Sequence, residues 1–563
     1  MSDANPMFVR EKRINGYTYL YLVETVREDG RTKQRIIRNL GRKEAVLESG
    51  ALDRLAASVG RFAERAVVLQ AIERGDPALA VRRIGAPLLF GRLWEETGCA
   101  AVLKDHLAGR GFEFDVERAV FVAVLHRLMA SGSDRACAHW MEDYAIPGVD
   151  GLALHHFYRA MAWLGEELPK AEQAHATPFA PRCVKDSLEE ALFARRRDLF
   201  TDLSVVFMDT TSLSFEGAGG ATLGARGYSK DHRPDLAQMI LAVVIDAEGR
   251  PICTEMAPGN TADVAVLIPI IDRLRNRFGI GRVCVVADRG MISGPTITAL
   301  EERELEYVLG VRERTDKRVR ETVLDDPKPF VPLLAQRQGG ETQLFAKEVI
   351  VAGIRYIVCR NEAEAEKDRA DRQAIVEGLE RQLKKGDKAL IGNGAYKRYL
   401  RRPAAADPAA EATPAFEIDP GKLAEEARYD GIFVLRTNAR LTALQAVLRY
   451  RDLLQVEALF RVAKATLDTR PIFHSSDAAI RGHVFCSFLA LVLAKELKDR
   501  CATAGLKPEW DRLIRDLDRL QSGDIARDGR TITVRTPVTG DVGPVFRAVG
   551  VALPPNIAEA PAA

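Results

Sequence analysis

The sequence predicts an α/β protein organised around a mixed sheet. Two apolar runs, residues 205–208 and 283–287, lead directly into Asp209 and Asp288, as buried strands do when they carry a side chain to the edge of a sheet. Strand-like and helical periodicities alternate between and after the two runs. Because carboxylates at strand ends suit divalent metal ions, the same pattern predicts a metal site at the sheet edge.

Length and composition narrow the class of protein. A chain of 563 residues is long enough for several domains. Its formal net charge of +2 neither requires nor excludes a nucleic-acid partner, since local charge decides that. The eight cysteines lack metal-ligand spacing, as expected for buried thiols in a reducing compartment. The longest apolar run, residues 484–494, is shorter than the roughly 20 residues that span a bilayer, so we expect a cytoplasmic protein with no membrane segment.

Two regions precede the sheet. Residues 1–45 predict a basic β-ribbon arm, because tyrosines alternate at positions 17, 19 and 21 and an Asp-Gly pair supplies a hairpin turn. Acidic residues interrupt its Arg and Lys residues, so a solvated ribbon and a phosphate-contacting arm both stay open. Residues 46–195 predict a helical, DNA-binding domain, although short helices also suit other all-α domains. Its helices are expected at residues 55–72, 88–107, 116–130 and 154–164.

Residues 196–311 contain the first part of the sheet. Three antiparallel strands are followed by a crossover helix and by a fourth strand parallel to the first. This order is that of a ribonuclease-H-like mixed sheet, in which strands one and four are neighbours, so we expect Asp209 and Asp288 to meet. The strands are expected at residues 205–209, 237–245, 252–256, 283–287 and 307–311, with helices at 264–278 and 295–304.

The rest of the chain interrupts this sheet and then completes it. Residues 312–428 predict an insertion domain with two strand-like pieces, a charged helix and a Pro/Ala-rich linker. Residues 429–505 predict the second part of the sheet domain. Residues 506–563 predict a C-terminal extension whose Pro/Ala-rich end is expected to be frayed.

A long amphipathic helix, predicted at residues 441–467, carries a third acidic residue. Tyr450, Glu457 and Lys464 follow one another at intervals of seven residues, almost two helical turns, so we expect their side chains to project from one face. A tyrosine, a carboxylate and a lysine in line have no packing role as core residues. They fit a site in which Glu457 completes a metal centre and its neighbours contact phosphates.

Together with the two aspartates, this set resembles the DDE transposases of bacterial insertion sequences, in the branch with a β-rich insertion before the last acidic residue. Asp209, Asp288 and Glu457 match the three catalytic acids of that family. The family signature runs Tyr, two residues, Arg, three residues, Glu, six residues, Lys, and this chain departs from it with Leu453 at the Arg position. The resemblance covers about residues 7–500 and includes the segments 228–235, 470–474 and 481–485.

The resemblance implies an enzyme that cleaves DNA at the ends of an insertion sequence and joins the freed 3′-hydroxyl ends to target DNA, acting as a dimer on DNA. Three converging carboxylates need cations to neutralise them, and oxygen ligands favour Mg²⁺, with Mn²⁺ as a substitute. Two ions about 4 Å apart would serve phosphoryl transfer. DNA contacts are expected at Tyr450, Lys464, Lys230, His232, Arg289 and Arg461. For Arg289 a surface ion pair is the alternative role, and His474 and His483 are expected to be structural.

Three other interpretations stay open. Asp209, Thr210 and Thr211 could mark an aspartyl-phosphate enzyme, but such a site usually has a second Asp where Thr211 stands. A non-catalytic DNA-binding regulator derived from a transposase, or a nuclease that cuts without joining, would share the fold. The converging acids favour catalysis over regulation, since DNA binding alone does not require them.

Overall fold

The computed structural model describes residues 7–28, 31–50, 81–174, 176, 181–196, 205–230, 233–280, 284–291, 293–333, 344–384, 396–401, 416–462, 469–527 and 530–561. The helix predicted at 55–72 and the Pro/Ala-rich linker lie outside these residues. Contacts divide the chain into two compact units, each described by itself. The first comprises Met1–Gly85, Glu509–Pro544 and Ala552–Ala563, and the second Ala86–Pro508 and Val545–Val551.

The described strands and helices are as follows. The strands are β1 (Met7–Ile14), β2 (Tyr17–Glu28), β3 (Arg31–Arg42), β4 (Val81–Arg83), β5 (Val205–Ser214), β6 (Gln238–Ile245), β7 (Pro251–Pro258), β8 (Cys284–Ala287), β9 (Glu306–Gly310), β10 (Val331–Leu333), β11 (Leu344–Val351), β12 (Ile354–Asn361), β13 (Leu400–Arg401), β14 (Glu417–Ile418), β15 (Ile432–Thr437), β16 (Gln521–Arg527), β17 (Arg530–Arg535) and β18 (Ile557–Pro561). The helices are α1 (Lys43–Glu48), α2 (Gly85–Glu96), α3 (Cys99–Leu107), α4 (Val116–Met129), α5 (Asp134–Trp140), α6 (Leu154–Leu164), α7 (Val184–Arg196), α8 (Asp263–Arg277), α9 (Gly294–Glu302), α10 (Glu362–Leu383), α11 (Pro420–Ala427), α12 (Ala443–Arg451), α13 (Leu453–Arg461), α14 (Asp477–Thr503), α15 (Trp510–Arg519) and α16 (Val542–Val549).

The first unit contains two antiparallel sheets. Strands β1, β2 and β3 form one of them, which confirms the predicted β-ribbon. The other has the order β18-β17-β16-β4. The expectation of a frayed Pro/Ala-rich end is wrong as far as residue 561, because β18 pairs with β17 along its length as the edge strand of this sheet.

The second unit is built on a mixed sheet with the order β10-β11-β12-β15-β9-β8-β5-β6-β7 among the described residues. Strands β5, β6 and β7 are antiparallel neighbours, and β8 lies parallel to β5 on its other side. This is the predicted ribonuclease-H-like order, which is confirmed. Val205 and Phe207 face one apolar layer, and Val206 and Met208 face the other, because successive side chains of a strand point to opposite faces.

The predicted insertion adds strands to this same sheet. Strand β12 pairs antiparallel with β15, with Ile357 opposite Leu435, and β15 pairs with β9 next to the first part of the sheet. Strands β10 and β11 continue the sheet outward. The chain segment between the two predicted halves therefore extends the sheet that holds Asp209 and Asp288.

Two predicted helices are each broken in the structure. The helix expected at 88–107 ends before Gly98, whose left-handed φ of +82° starts a new helix, and a Cβ there would meet the Arg195 side chain. The helix expected at 441–467 is interrupted at Asp452, whose N–H is shared between the Leu448 and Arg449 carbonyls at 3.1 Å each. This sharing tightens the turn and ends α12 before α13 begins.

Helix α14 is long and apolar enough to cross a membrane by length and composition, the one such helix among the described residues. Most of it is buried, however, and it packs against α4 and α6. Gly482 lies so close to the backbone of α6 that a Cβ would meet the Met161 carbonyl. Such close packing within the protein is typical of a core helix.

Candidate active site

The two aspartates lie side by side at one edge of the sheet. Asp209 is on β5 and Asp288 immediately follows β8, and these two strands are parallel neighbours with Met208 opposite Ala287. Both aspartates are half-buried, whereas the residues before them are buried. The parallel pairing thus brings both carboxylates together, as the strand order predicts, but the expected end of the strand at Asp209 is wrong, because pairing with β6 continues β5 to Ser214.

The Asp209 carboxyl is poorly compensated electrostatically. Burial raises its pKa to about 6, while Lys230 and the N–H of Thr210, which donates to Asp209 Oδ1 at 2.7 Å, act in the opposite direction. The negative charges of Asp288 and Glu457 raise the pKa further. Asp288 and Glu457 are therefore both close enough to Asp209 to act on its carboxyl group.

Lys230 is held by protein groups beside Asp209. Its ammonium donates to the Thr210 carbonyl at 2.7 Å and to Thr210 Oγ1 at 2.6 Å, and it pairs with Asp263 Oδ2 at 3.1 Å. Its backbone N–H donates to Ser212 Oγ at 3.2 Å. Lys230 thereby ties the loop before β6 to strand β5, and its predicted DNA contact stays a prediction.

Tyr450 meets the second aspartate directly. Its hydroxyl donates to Asp288 Oδ1 at 2.7 Å, and its ring lies nearly parallel to that of Phe433 with the centroids 6.2 Å apart. Burial and the Asp288 charge raise the Tyr450 pKa well above its usual value, so the phenol remains protonated. In this structure the hydroxyl binds Asp288, one of the three predicted acids, and its predicted phosphate contact stays a prediction.

Glu457 projects from α13, which packs on β5 through Leu453, Val456 and Phe460. These three buried residues follow helical spacing on one side of α13, and Glu457 itself is exposed. Leu453, which replaces the Arg of the family signature, is only 7% exposed and belongs to the core. The break at Asp452 also means that Tyr450 and Glu457 lie on different helices, so the expectation of one continuous helical face is wrong.

The remaining predicted DNA contacts are Arg289, Arg461, His232 and Lys464. Arg289 is 53% exposed and pairs with the buried Glu313 at 3.2 Å, so the ion pair that was its alternative role is present. Arg461 is exposed at the end of α13. His232 and Lys464 lie outside the described residues.

A cleft of about 500 Å³ opens beside Lys230. Tyr228 lines it with a side chain that is 82% exposed, and the exposed Arg312 lies on its other wall. Ser293, Asn260 and Asp263 contribute polar groups. The cleft therefore offers hydrogen-bonding groups and a basic side chain next to the acids.

The donor set suits a hard divalent cation. Asp288 and Glu457 both act on Asp209, and Lys230, the cation that opposes their effect, is paired with Asp263; the three acids are not among the described groups whose ligand atoms lie within 4.8 Å of one another. Oxygen ligands with excess negative charge are those that Mg²⁺ and Mn²⁺ prefer. Asp209, Asp288 and Glu457 therefore fit a divalent-metal centre.

Asp134, His474 and His483 form a second cluster with ligand atoms within 4.8 Å of one another. Burial and the Arg127 charge lower the pKa of His483 to about 3, so its ring is neutral. Arg127 donates to Nδ1 at 2.9 Å, and Nε2 lies 3.3 Å from the Thr469 carbonyl, to which it donates. Both ring nitrogens of His483 are engaged in hydrogen bonds, and the structural role predicted for the two histidines stays a prediction.

Sequence reasoning missed three residues of the site: Asp263, Gly310 and Phe433. Asp263 begins α8 and anchors Lys230, while Phe433 stacks on Tyr450. Gly310 ends β9 where a Cβ would meet the Tyr450 hydroxyl. The available signal was the glycine that closes an apolar run at residues 307–309, which often marks a close approach by another group.

Two family models match this chain. The model described as "IS1634 family transposase, N-terminal domain" matches residues 9–72. The model described as "Transposase DDE domain" matches residues 200–493, more than half of the chain and the whole region that contains the three acids. No curated protein gives a match.

Among solved structures, the chain is similar to "Mos1 transposase paired-end complex with left transposon end", at 15% identity and a TM-score of 0.13. It is also similar to "Crystal structure of a pre-cleavage Mos1 transpososome", at 14% identity and the same score. Each match covers 35% of this chain and 60% of the other, less than two thirds of its length. The family match over residues 200–493, which spans the strands and helices that bring the acids together, shows that this chain belongs to the DDE transposases.

Proposed function

We propose that this protein catalyses metal-dependent cleavage at the ends of an insertion sequence and transfer of the 3′-hydroxyl ends into target DNA. The observation that carries the proposal is the convergence of Asp209, Asp288 and Glu457, with the Asp209 pKa raised to about 6 by burial and by the other two charges. A carboxylate that is desolvated, as Asp209 is, costs stability unless a cation joins it. An acid cluster kept at a sheet edge is therefore best explained by chemistry.

Asp209, Asp288 and Glu457 would hold two Mg²⁺ ions, with Mn²⁺ able to substitute, and metal bound there would supply Lewis-acid activation of the attacking and leaving oxygens. Lys230 keeps strand β5 and the following loop together, so that Asp209 stays in place. In each step one phosphorus–oxygen bond forms as another breaks. No protein nucleophile takes part, since water or a DNA 3′-hydroxyl attacks directly.

DNA is the proposed partner. The cleft with Tyr228 and Arg312, together with the exposed Arg289 and Arg461, offers stacking and phosphate-binding groups around the acids. The solved Mos1 complex named above contains a transposon end, which is in line with this role. We also propose a dimer on DNA, because two ends must be joined to one target.

The test incubates the full chain with end-containing DNA, target DNA and Mg²⁺. The wild type is expected to cut and join, whereas Asp209→Asn, Asp288→Asn and Glu457→Gln should each lower cleavage by about 10⁴-fold. Asp272→Asn is the matched control, since Asp272 pairs with Arg303 away from the acids.

The alternatives give different products in the same assay. Cutting without insertion would indicate a nuclease, and DNA binding without cutting would indicate a regulator. Metal-dependent cleavage that survived substitution of any one of the three acids would overturn the assignment of the site.

A further inference from the structure

We infer that Tyr450 is a positioning residue that fixes the Asp288 carboxylate for metal binding, within a cradle formed by Gly310 and Phe433. This inference rests on the proposed metal-dependent function and assigns Tyr450 a role other than phosphate binding. The hydrogen bond from the Tyr450 hydroxyl to Asp288 Oδ1, at 2.7 Å, is its starting point. A tyrosine hydroxyl that donates to one carboxylate oxygen leaves the other oxygen and the remaining lone pairs available to a cation.

The surroundings hold the phenol in one place. Its ring stacks on Phe433 of β15, and α12 packs against β8, which Asp288 follows, and against the neighbouring strand β9. A Tyr side chain has few rotatable bonds, so a packed ring fixes its hydroxyl closely. Helix α12 and strand β8 are thereby coupled through one hydrogen bond at the metal site.

Gly310 leaves room for the Tyr450 phenol beside strand β9. A Cβ at residue 310 would meet the Tyr450 hydroxyl and come within 3.0 Å of its Cζ. The Gly310 backbone does not have a left-handed φ, unlike the glycines that need one, so close approach is the reason for glycine here.

Partners that orient metal ligands affect metal affinity without touching the ion. Loss of such a partner typically weakens metal binding or activity by about 10- to 100-fold. We therefore expect Tyr450→Phe to raise the half-saturating Mn²⁺ concentration about tenfold, and cleavage should recover when Mn²⁺ is saturating. A residue that grips DNA would instead change DNA affinity and leave metal affinity unaltered.

The experiment titrates Mn²⁺ into the full chain without DNA and follows free Mn²⁺ by electron paramagnetic resonance. The matched control is Tyr307→Phe, which also removes a tyrosine hydroxyl from a carboxylate, since Tyr307 donates to Glu301 Oε1 at 2.6 Å. Tyr307→Phe should leave Mn²⁺ affinity unchanged. Unchanged or tighter Mn²⁺ binding by Tyr450→Phe would overturn the inference.

Gly310→Ala provides a second, independent variant if Tyr450→Phe does not fold. The new methyl group should displace the hydroxyl and weaken Mn²⁺ binding in the same direction. Because both substitutions act on one hydrogen bond, the double variant should be no weaker than the worse single variant. Fully additive losses, or normal Mn²⁺ affinity in Gly310→Ala, would contradict a shared role.

The failure of this inference is distinguishable from failure of the proposed function. If Asp288→Asn also leaves Mn²⁺ binding unchanged, the metal site itself is wrong. If Asp288→Asn abolishes binding while Tyr450→Phe has no effect, only the positioning role is lost.

Discussion

Two groups of carboxylates in the second unit differ in how far nearby cations neutralise them. The buried ion network consists of Lys185, Asp186, Glu189, Glu255 and Arg273, and the acid cluster consists of Asp209, Asp288 and Glu457. In the network, Arg273 contacts Asp186 at 2.8 Å, Glu189 at 2.6 Å and Glu255 at 3.3 Å. In the acid cluster, Lys230 acts on Asp209 but is itself paired with Asp263.

The pKa values follow this difference. Burial alone would raise the pKa of Asp186, but the charges of Lys185 and Arg273 lower it well below its ordinary value. Burial raises the pKa of Asp209 to about 6, and no equivalent set of cations among the described residues reverses the effect. In the part of the chain that the structure describes, the ion network is therefore neutralised by its own cations, whereas Asp209 is not. Such selective undercompensation is typical of a site that binds a cation from solution.

The largest effect should come from breaking the network. Arg273→Met leaves buried carboxylates without their shared partner, so we expect the free energy of unfolding to fall by about 3–5 kcal/mol. Urea unfolding followed by circular dichroism measures this change. The control Arg303→Met removes a partly exposed pair with Asp272 and should cost far less. If the two variants lost equal free energy of unfolding, the buried network would contribute no more to stability than a partly exposed ion pair.

Substitution of Asp209 should raise the free energy of unfolding, whereas Arg273→Met should lower it. The Asp209 carboxyl has a higher pKa in the folded protein, about 6, than in the unfolded chain, 3.8. The free energy of unfolding therefore falls as pH increases through this range, because the folded state must then hold an unfavourable charge. In EDTA at pH 7, Asp209→Asn should therefore stabilise the protein by up to about 3 kcal/mol. At pH 3 the gain should vanish, because Asp209 is then protonated in both states.

Asp186→Asn is the matched comparison for this pH series. The folded pKa of Asp186 is lowered, so its charge contributes stability above the unfolded pKa, and this contribution is lost as pH falls through the folded value. Asp186→Asn should consequently destabilise at pH 7 and less at acidic pH. If both substitutions stabilised the protein at pH 7, or both destabilised it, the ion network and the acid cluster would not differ as proposed.

Much of this arrangement follows from local sequence patterns. Apolar runs that end in Asp209 and Asp288 specify two buried strands, and the crossover rule makes those strands parallel neighbours. Helical spacing places Glu457 next to the buried Leu453 and Val456. The strand order and the placement of Asp209 beside Asp288 were therefore predictable, since each depends on periodicity and topology.

Tertiary contacts decide the rest. Nothing local shows that β12 pairs with β15, or that Lys230 turns inward to Thr210 and Asp263. The break at Asp452 is also not a periodicity signal, because apolar spacing continues on both sides of it. Tyr450 has the same sequence context whether it faces DNA or Asp288, so only packing distinguishes the two.

Metal addition sharpens the comparison with a smaller effect. A cation that binds only the folded acid cluster should stabilise the wild type by about 2.7 kcal/mol when Mn²⁺ is present at 100 times its dissociation constant. Thermal unfolding in Mn²⁺ and in EDTA gives this difference. Asp209→Asn should lose most of the increase, whereas Arg303→Met should keep it. A similar increase in Asp209→Asn would show that Mn²⁺ binds elsewhere.

The smallest effect on stability is expected at Arg289. This residue is partly like the ion network, because it pairs with a buried carboxylate, and partly like the acid cluster, because it is exposed. It is exposed and pairs with the buried Glu313, which also contacts Arg314 at 2.8 Å. Because Arg314 remains, Arg289→Ala should change the free energy of unfolding by less than about 1 kcal/mol. Urea unfolding at low and moderate salt checks this value.

The same variant tests whether the exposed face of Arg289 serves DNA. If the guanidinium also contacts a phosphate, Arg289→Ala should reduce the salt dependence of DNA binding by about one counterion. Arg303→Ala removes a comparable surface charge away from the acids and should leave that slope unchanged. An unaltered slope in Arg289→Ala would restrict this arginine to its ion pair, and the acid cluster would then depend on other basic residues to hold its substrate.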